Sequence, residues 1–341
     1  LSAIVAGFIA VLIGFASAVA IVFQAAQAAG ANPAQVESWI WALGIGMGVT
    51  TFGLSWFYRR PIIIVWSTPG AALLASSLEG SGLAQTTGTF IVVGLLIILI
   101  GASGWFNRFA KLIPMPIAAA MLAGILLQFG IGIFTSVQTD AVLILSMILT
   151  YLLMKWLAPR YAIVMVLLVG TVFCMLTGSL SVSDIDLGIA TPQWVTPSFS
   201  LASIMGIGIP LFIVTMASQN VPGLAVLRSH DYQVSASPLI SCTGIAGIVL
   251  APFGGFAFNL AAITAAICMG EDADRNKATR YFASMWAGGF YILMGLFSTT
   301  VVALFSAFPQ ALVLAIAALA LLGTIGNSLH QALNQPSERD S

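Results

Sequence analysis

Two short segments place residues that commonly start a helix in the middle of otherwise apolar stretches. In the first, Ser67, Thr68 and Pro69 follow a β-branched run that begins after Pro61. Ser or Thr ahead of a proline is typical of a helix N-terminus, whereas β-branched residues after a proline favour an extended chain. The pattern predicts a segment over 62–78 that is half strand and half helix, with the helix beginning near the middle.

The second segment, over 253–269, has the same design. Gly254 and Gly255 precede Asn259, a residue type preferred at the N-cap position, and an alanine-rich run follows. We therefore expect a second helix to begin at Asn259. The alternative is that proline and glycine only kink two ordinary helices, because both are frequent in transmembrane helices. The matched positions of the two segments in the two halves of the chain favour paired helix starts.

Paired helix starts could bind an anion without any lysine or arginine. The first N–H groups of a helix have no partner within it and carry partial positive charge. Irregular backbone at membrane depth is tolerated only where it is buried in protein or lines a cavity. The two segments therefore predict a small, negatively charged ligand held between Ser67-Thr68 and Asn259.

Polar amides occur at equivalent places in the first helix of each half. Gln24 lies toward the end of the first apolar stretch, and Gln219 and Asn220 lie toward the end of the eighth. Amides in apolar helices are often simple ties between helices. Their equivalent positions favour a role in lining the cavity for all three.

The composition requires a bilayer around these elements. Of the 341 residues, 60% are hydrophobic and 6% are charged, whereas a soluble domain carries roughly 25% charged residues. The net charge is zero and no long basic block exists, which excludes a nucleic-acid-binding protein. The three cysteines show no CxxC spacing, so they indicate packing rather than a disulfide framework or a zinc site.

The hydropathy pattern predicts an all-α polytopic membrane protein with twelve spans. All eleven lysines and arginines then lie on one side, which the positive-inside rule identifies as the cytoplasm, and the N-terminus is cytoplasmic. No ionisable residue is assigned to the interior of a span, because those within the bounds lie at span ends, so no carboxylate proton relay is evident. The predicted spans are 1–23, 39–57, 62–78, 86–105, 112–133, 139–157, 161–180, 201–221, 236–251, 253–269, 280–304 and 306–329. The opposite-side loops carry Glu37, Glu79, Asp140, Asp184 and Asp186.

A polar stretch from Ser179 to Ser200 divides the chain into 1–185, with seven spans, and 186–341, with five. Because seven is odd, a second unit that repeats the first enters from the other side, which gives an inverted repeat. The second repeat is incomplete on this interpretation. We expect spans 13 and 14 to be missing from a sequence that starts at Leu1 rather than at a methionine.

Three other motifs have simpler interpretations. Ser103 lies in a GxSG string typical of intramembrane serine proteases, but such an enzyme needs a base, and His230 and His330 both fall on the basic side. The glycines over 44–48 indicate close helix packing rather than a hinge. The acidic cluster over 271–274 could bind a metal ion, but the neighbouring basic residues favour a solvated loop.

Three longer strings of residues are distinctive: Trp66-Ser67-Thr68-Pro69-Gly70-Ala71-Ala72, Ser218-Gln219-Asn220-Val221-Pro222-Gly223 and Pro252-Phe253-Gly254-Gly255-Phe256-Ala257-Phe258-Asn259-Leu260-Ala261-Ala262. They resemble motifs of the benzoate:proton symporter (BenE-type) family, and the similarity runs over essentially the whole chain. The resemblance implies the fourteen-helix, seven-plus-seven inverted-repeat fold of uracil transporters and sulfate-type anion exchangers. Spans 1–4 and 8–11 would form a core domain, and spans 5–7 and 12 the gate domain.

The implied function is import of benzoate or a similar aromatic carboxylate, with a proton, across the bacterial inner membrane. The chain is expected to be a transporter rather than an enzyme, with no cofactor or metal ion. A homodimer is left open. The alternatives are a nucleobase or inorganic-anion transporter on the same fold and, less favoured, an intramembrane hydrolase. The expected substrate-binding residues are Gln24, Ser67, Thr68, Gly70, Gln219, Asn220, Phe256, Phe258 and Asn259.

One departure from the nucleobase transporters bears on the substrate. Those relatives carry acidic residues in spans 8 and 10, where this chain has Gln219-Asn220 and Phe258-Asn259. The difference argues for a ligand that brings its own negative charge. It also leaves the proton carrier unidentified.

Overall fold

The computed structural model describes residues 2–78, 80–106, 108, 115–138, 140–180, 188–271 and 273–333. Several residues considered above lie outside these ranges, as do the division at 185 and the polar tail from 334 onward. They are Glu79, Lys111, Asp184, Asp186, Asp272 and Arg339.

The described chain is a succession of helices interrupted by two three-residue strands. The elements of the first half are α1 (Ser2–Ala28), α2 (Pro33–Tyr58), β1 (Ile64–Trp66), α3 (Thr68–Ser77), α4 (Leu83–Ala102), α5 (Met115–Val137), α6 (Ala141–Leu157) and α7 (Ala162–Leu176). Those of the second half are α8 (Leu201–Ser229), α9 (Ala236–Leu250), β2 (Phe258–Leu260), α10 (Ile263–Met269), α11 (Tyr281–Leu296), α12 (Ser298–Ala307) and α13 (Gln310–Leu333). Two π-helical turns, Ile204–Gly208 and Met216–Asn220, lie within α8.

The predicted spans correspond to these elements in different ways. Within the described ranges, five helices are long and apolar enough to cross a membrane, or seven if α1 and the α11–α12 pair, bent by 69°, each count as one span. Of the rest, α6 and α7 are shorter apolar helices, α5 has 23 residues, and spans 3 and 10 are strand followed by helix.

The start of span 2 differs from the prediction. The helix α2 begins at Pro33, because Asn32 and Gln35 form a reciprocal capping box there. Glu37, predicted in a loop, therefore lies inside α2, and its carboxylate accepts a hydrogen bond of 2.7 Å from Thr299 Oγ1. The local capping box, rather than the change in hydropathy, therefore sets where α2 begins.

The two strands pair with each other at the centre of the chain's fold. β1 and β2 are antiparallel, with Val65 opposite Asn259. The outer edge of β1 is paired by side chains of α2: Thr51 Oγ1 accepts the N–H of Ile64 at 2.9 Å, and Met47 Sδ accepts the N–H of Trp66 at 3.2 Å. These side chains take the place of a third strand. They accept hydrogen bonds from backbone N–H groups of β1 that would have no partner in lipid.

Helix pairs from the two halves approach closely through glycine. α2 packs along α11, where a Cβ on Gly44 would lie 2.6 Å from Gly295 Cα. α4 packs along α9, where a Cβ on Gly244 would lie 2.8 Å from the Gly94 carbonyl oxygen. The packing role predicted for the glycines over 44–48 is confirmed, and the second of them, Gly46, leaves room for the ring of Phe258.

Candidate functional site

A cavity of about 660 Å³ lies where the two strand-to-helix segments meet the other helices. Its lining comes from α1, α8, α11 and the starts of α3 and α10, and also from α5, α6, α7 and α13. This volume falls within the range of roughly 300–1,000 Å³ typical of small-molecule sites. The cavity therefore brings together the two helix starts that the sequence predicted to face each other.

The start of α3 is capped. Ser67 Oγ accepts the N–H of Gly70 at 3.1 Å and the hydroxyl of Thr215 at 3.0 Å, and the Ser67 N–H donates to the Ala257 carbonyl. Pro69 has no N–H. Thr68, which lines the cavity, contributes the single N–H of this first turn that has no partner among the described residues.

The start of α10 is open. Its N-cap residue is Ala262, which has no side-chain group to accept a hydrogen bond. The N–H groups of Ile263, Thr264 and Ala265 have no partner in the described part of the chain, and Ile263 and Thr264 line the cavity. Three unpaired donors therefore point out of the first turn of α10, compared with one at α3.

The prediction that this helix begins at Asn259 is wrong. Asn259 lies in β2, where it pairs with Val65, and the helix begins four residues later at Ile263. Two long-range contacts hold residues 258–260 extended: the ladder with β1, and the Leu260 N–H, which donates to Asn220 Oδ1 at 3.0 Å. Asn259 is fully buried, and its Nδ2 donates to the Ala257 carbonyl at 3.1 Å.

Two of the expected substrate-binding residues, Thr68 and Gln219, line the cavity. Four others lie behind its wall, where they hold the wall in place: Ser67, Gly70, Asn220 and Asn259. Gln24 lies farther along α1 than Ile13, Gly14 and Phe15, which are the α1 residues of the lining.

The structure does not bring the two expected phenylalanines to the cavity. Phe256 is fully buried between Trp39 and Phe90, with ring centroids 5.8 Å and 5.5 Å away. Phe258 is fully buried against Gly46. Phe256 packs α2 and α4 against the strand segment, and Phe258 packs the strand against α2.

A different aromatic wall lines the cavity. It consists of Phe15, Trp66 and Tyr291, and the Phe15 and Trp66 ring centroids are 5.3 Å apart. Gly14 lets α1 approach this wall, because a Cβ there would lie 3.0 Å from Thr264 Cγ2 and 3.2 Å from the Tyr291 hydroxyl. Nothing in the sequence distinguishes these rings from the other aromatic residues of an apolar chain.

The described lining of the cavity carries a single charge. Lys155, in the last turn of α6, is the one charged side chain among the described residues that line the cavity. The remaining lining groups are apolar, hydroxyl or amide. A bound anion would therefore meet donors and a cation, with no described carboxylate to repel it.

The other sequence motifs have local roles. The Ser103 hydroxyl donates to the Ile100 carbonyl at 3.2 Å and accepts the Trp105 N–H, so its described partners include no histidine. In the acidic loop, hydrogen bonds from Thr279 and from the Asn276 N–H hold the pKa of Asp274 below its usual value.

Comparison with known proteins decides the family. The family model for BenE, benzoate membrane transport protein, matches residues 1–341. The chain belongs to the BenE family. The inner membrane protein YdcO of Escherichia coli (strain K12) is 46% identical over 338 residues, 99% of this BenE chain and 86% of that protein. The benzoate membrane transport protein of Acinetobacter baylyi (strain ATCC 33305 / BD413 / ADP1) is 40% identical over 340 residues, 100% and 86% of the two chains.

Solved structures share the fold of this BenE chain. The transmembrane domain of the cyanobacterial bicarbonate transporter BicA aligns with a TM-score of 0.62 and 15% identity over 97% of both chains. The overall structure of SLC26A9 aligns with a TM-score of 0.62 and 13% identity over 97% of this chain and 58% of that one. The BenE chain is thus a membrane transport protein, not an enzyme, with the seven-plus-seven inverted-repeat fold.

Proposed function

We propose that this BenE chain imports benzoate or a similar aromatic carboxylate, together with a proton, across the bacterial inner membrane. The observation that carries the proposal is the open start of α10, which faces a cavity with an aromatic wall and no carboxylate among its described lining residues. The name of the Acinetobacter baylyi relative supports the same substrate.

The cavity suits the two ends of benzoate. The carboxylate would accept hydrogen bonds from the N–H groups of Ile263 and Thr264 and from the N–H of Thr68, and bonds to an ionised acceptor are the stronger kind. The ring would lie against Phe15, Trp66 and Tyr291, where aromatic pairs add to the burial of apolar surface. This aromatic wall replaces the expected pair Phe256 and Phe258.

Transport would follow from the position of the site between the two predicted domains. The helix starts belong to the predicted core domain, while α5, α6, α7 and α13 belong to the predicted gate. Movement of one against the other would change the side from which the cavity is open, as in other inverted-repeat transporters. The division into core and gate stays a prediction.

Uptake into vesicles tests substrate and coupling together. Purified chain in proteoliposomes should accumulate labelled benzoate when the outside is made acidic, and a protonophore should abolish accumulation without abolishing exchange of labelled for unlabelled benzoate. Uptake that does not depend on the proton gradient would contradict proton coupling but would be consistent with benzoate as the substrate. Protein-free vesicles provide the baseline, since protonated benzoic acid also crosses lipid.

A competition panel separates the substrate classes. Unlabelled benzoate and substituted benzoates should suppress uptake of the label, whereas bicarbonate, sulfate and uracil at the same concentration should not. Suppression by an inorganic anion would favour the substrate class named for BicA, and suppression by uracil would favour a nucleobase transporter. The relative named for benzoate is 40% identical, whereas the neighbours below 25% identity show the fold alone.

A further inference from the structure

One part of the cavity lining lies on α13 and α6, outside the two helix starts. The α13 residues of the lining lie four, three and one positions apart, so they form one face of that helix: Ala320, Thr324, Asn327 and Ser328. Three of the four are polar. Lys155 of α6 lines the same cavity on the side of the basic join to α7.

The Lys155 ammonium lies against the α13 backbone. Gly323 has no side chain, and a Cβ at that position would lie 3.8 Å from Lys155 Nζ. The ammonium is also 5.9 Å from the ring centroid of Tyr151. Lys155 Nζ therefore sits between α6 and the polar face of α13.

Lys155 has no acidic partner among the described residues. The other described lysine, Lys277, forms an exposed ion pair of 3.2 Å with Asp231 on the same predicted side. A lysine at a helix end often does no more than extend to the membrane surface and favour the helix C-terminus. Lys155 differs because it lines a cavity whose described lining contains no other charge.

We infer that Lys155, Thr324, Asn327 and Ser328 form a second anion subsite between the helix starts and the basic side of the membrane. The subsite receives the carboxylate of the transported ligand, so the inference rests on the proposed function. Lys155 and Asn327 are exposed, so an anion in the cavity can reach both side chains. A cation without a described acidic partner attracts anions, and hydroxyl and amide groups supply further donors. The subsite gives an anion leaving the helix starts a charged contact on α6.

Side-specific kinetics test the subsite. In proteoliposomes of known orientation, Lys155→Gln should raise the half-saturating benzoate concentration on the basic side by about tenfold, and by much less on the other side. Lys155→Arg keeps the charge and should stay close to the wild type. Lys277→Gln is the matched control, because it removes a lysine on the same side outside the cavity. An unchanged half-saturating concentration in a folded Lys155→Gln variant would overturn the subsite.

Wild-type protein provides a measurement that needs no folded variant. Because screening weakens the attraction of an ion pair, rising salt should raise the half-saturating concentration more on the basic side than on the other. An equal salt effect on the two sides would contradict a one-sided cationic subsite.

A labelling experiment keeps failure of the subsite apart from failure of the proposed function. A Thr324→Cys thiol should react faster with an anionic methanethiosulfonate than with a cationic one, and adding Lys155→Gln should reduce that ratio severalfold. A ratio unaffected by Lys155→Gln would overturn the subsite even if benzoate is transported. A ratio that falls, in protein that takes up no benzoate, would keep an anion subsite and reject benzoate as its ligand.

Discussion

The two helix starts differ in how their first turns are paired. At α3, the side chain of Ser67 caps the turn and is itself bonded to Thr215 of α8. At α10, Ala262 offers no cap, and the strand ahead of the helix is braced instead through Asn220. One start is fixed by its own polar side chain, whereas the other is fixed from a distance and keeps its donors free.

The difference teaches which end of the cavity an anion should prefer. The N–H groups of a capped turn are already paired. The start of α3 therefore offers an anion only the N–H of Thr68 and otherwise shapes the cavity. An uncapped turn keeps N–H groups available to a ligand, but its position depends on contacts from neighbouring elements. The cavity is therefore asymmetric, although the two segments occupy equivalent places in an inverted repeat.

The largest effect is expected from a negative charge at the open start. Thr264→Asp places a carboxylate in the cavity beside the unpaired N–H groups of α10, where it also suits the helix start. Two like charges about 4 Å apart at an effective dielectric of about 20 repel by about 4 kcal/mol, so the half-saturating benzoate concentration should rise by about 100-fold or more.

Thr264→Asn is the matched control, because it has the same shape without the charge. If Thr264→Asp and Thr264→Asn transported benzoate alike, the anion would not bind at α10. The open start would then not be the preferred anion end of the cavity.

The next effect concerns the brace of the open start. Asn220→Ala removes the acceptor of the buried Leu260 N–H, which should lower the free energy of unfolding by about 1–3 kcal/mol. Thermal unfolding in detergent measures it. Gln219→Ala, one residue earlier, removes an amide with no described backbone partner and should leave the melting temperature unchanged. Equal melting temperatures for the two variants would mean that Asn220 does not brace β2.

A smaller effect is expected at the capped start. Ser67→Ala removes the cap of α3 and the acceptor of the Thr215 hydroxyl, at a cost of about 1 kcal/mol in unfolding free energy. Ser76→Ala on the exposed side of the same helix is the control. A loss of benzoate affinity in Ser67→Ala larger than that in Thr264→Asn would show that α3, not α10, is the dominant anion end.

The smallest effect is expected at Gln219, whose side chain lines the cavity without a protein partner among the described residues. Gln219→Ala should raise the half-saturating concentration by about threefold, the size of one neutral hydrogen bond. Competition by unlabelled benzoate measures the change. A much larger loss of benzoate affinity would mean that Gln219, rather than the helix starts, is the main ligand of the anion.

Local signals predicted the first segment well and the second only in part. Ser67, Thr68 and Pro69 are adjacent in the chain, and their combined preference sets the boundary between β1 and α3. The boundary at α10 depends on pairing with β1 and on Asn220, which are distant in sequence. A good N-cap residue such as Asn259 therefore became part of a strand, because tertiary contacts outweigh local preference.

The cavity residues were harder to predict than the fold. The odd number of spans in the first half predicted an inverted repeat, and the seven-plus-seven fold is confirmed. Aromatic side chains in an apolar chain carry no sign of facing a cavity, so Phe15, Trp66 and Tyr291 were missed. Lys155 was counted only among the eleven basic residues of the cytoplasmic side, since charge placement indicates the side of the membrane and not the packing between α6 and α13.

The pairing of β1 with β2 has a consequence for how the protein is made. The ribosome delivers β1 long before β2, and until β2 arrives the Ser67 N–H and the Ile63 carbonyl lack the partners that they have in the finished fold. Unpaired backbone is costly in lipid. We therefore expect β1 to take its final position only after β2 has been synthesised.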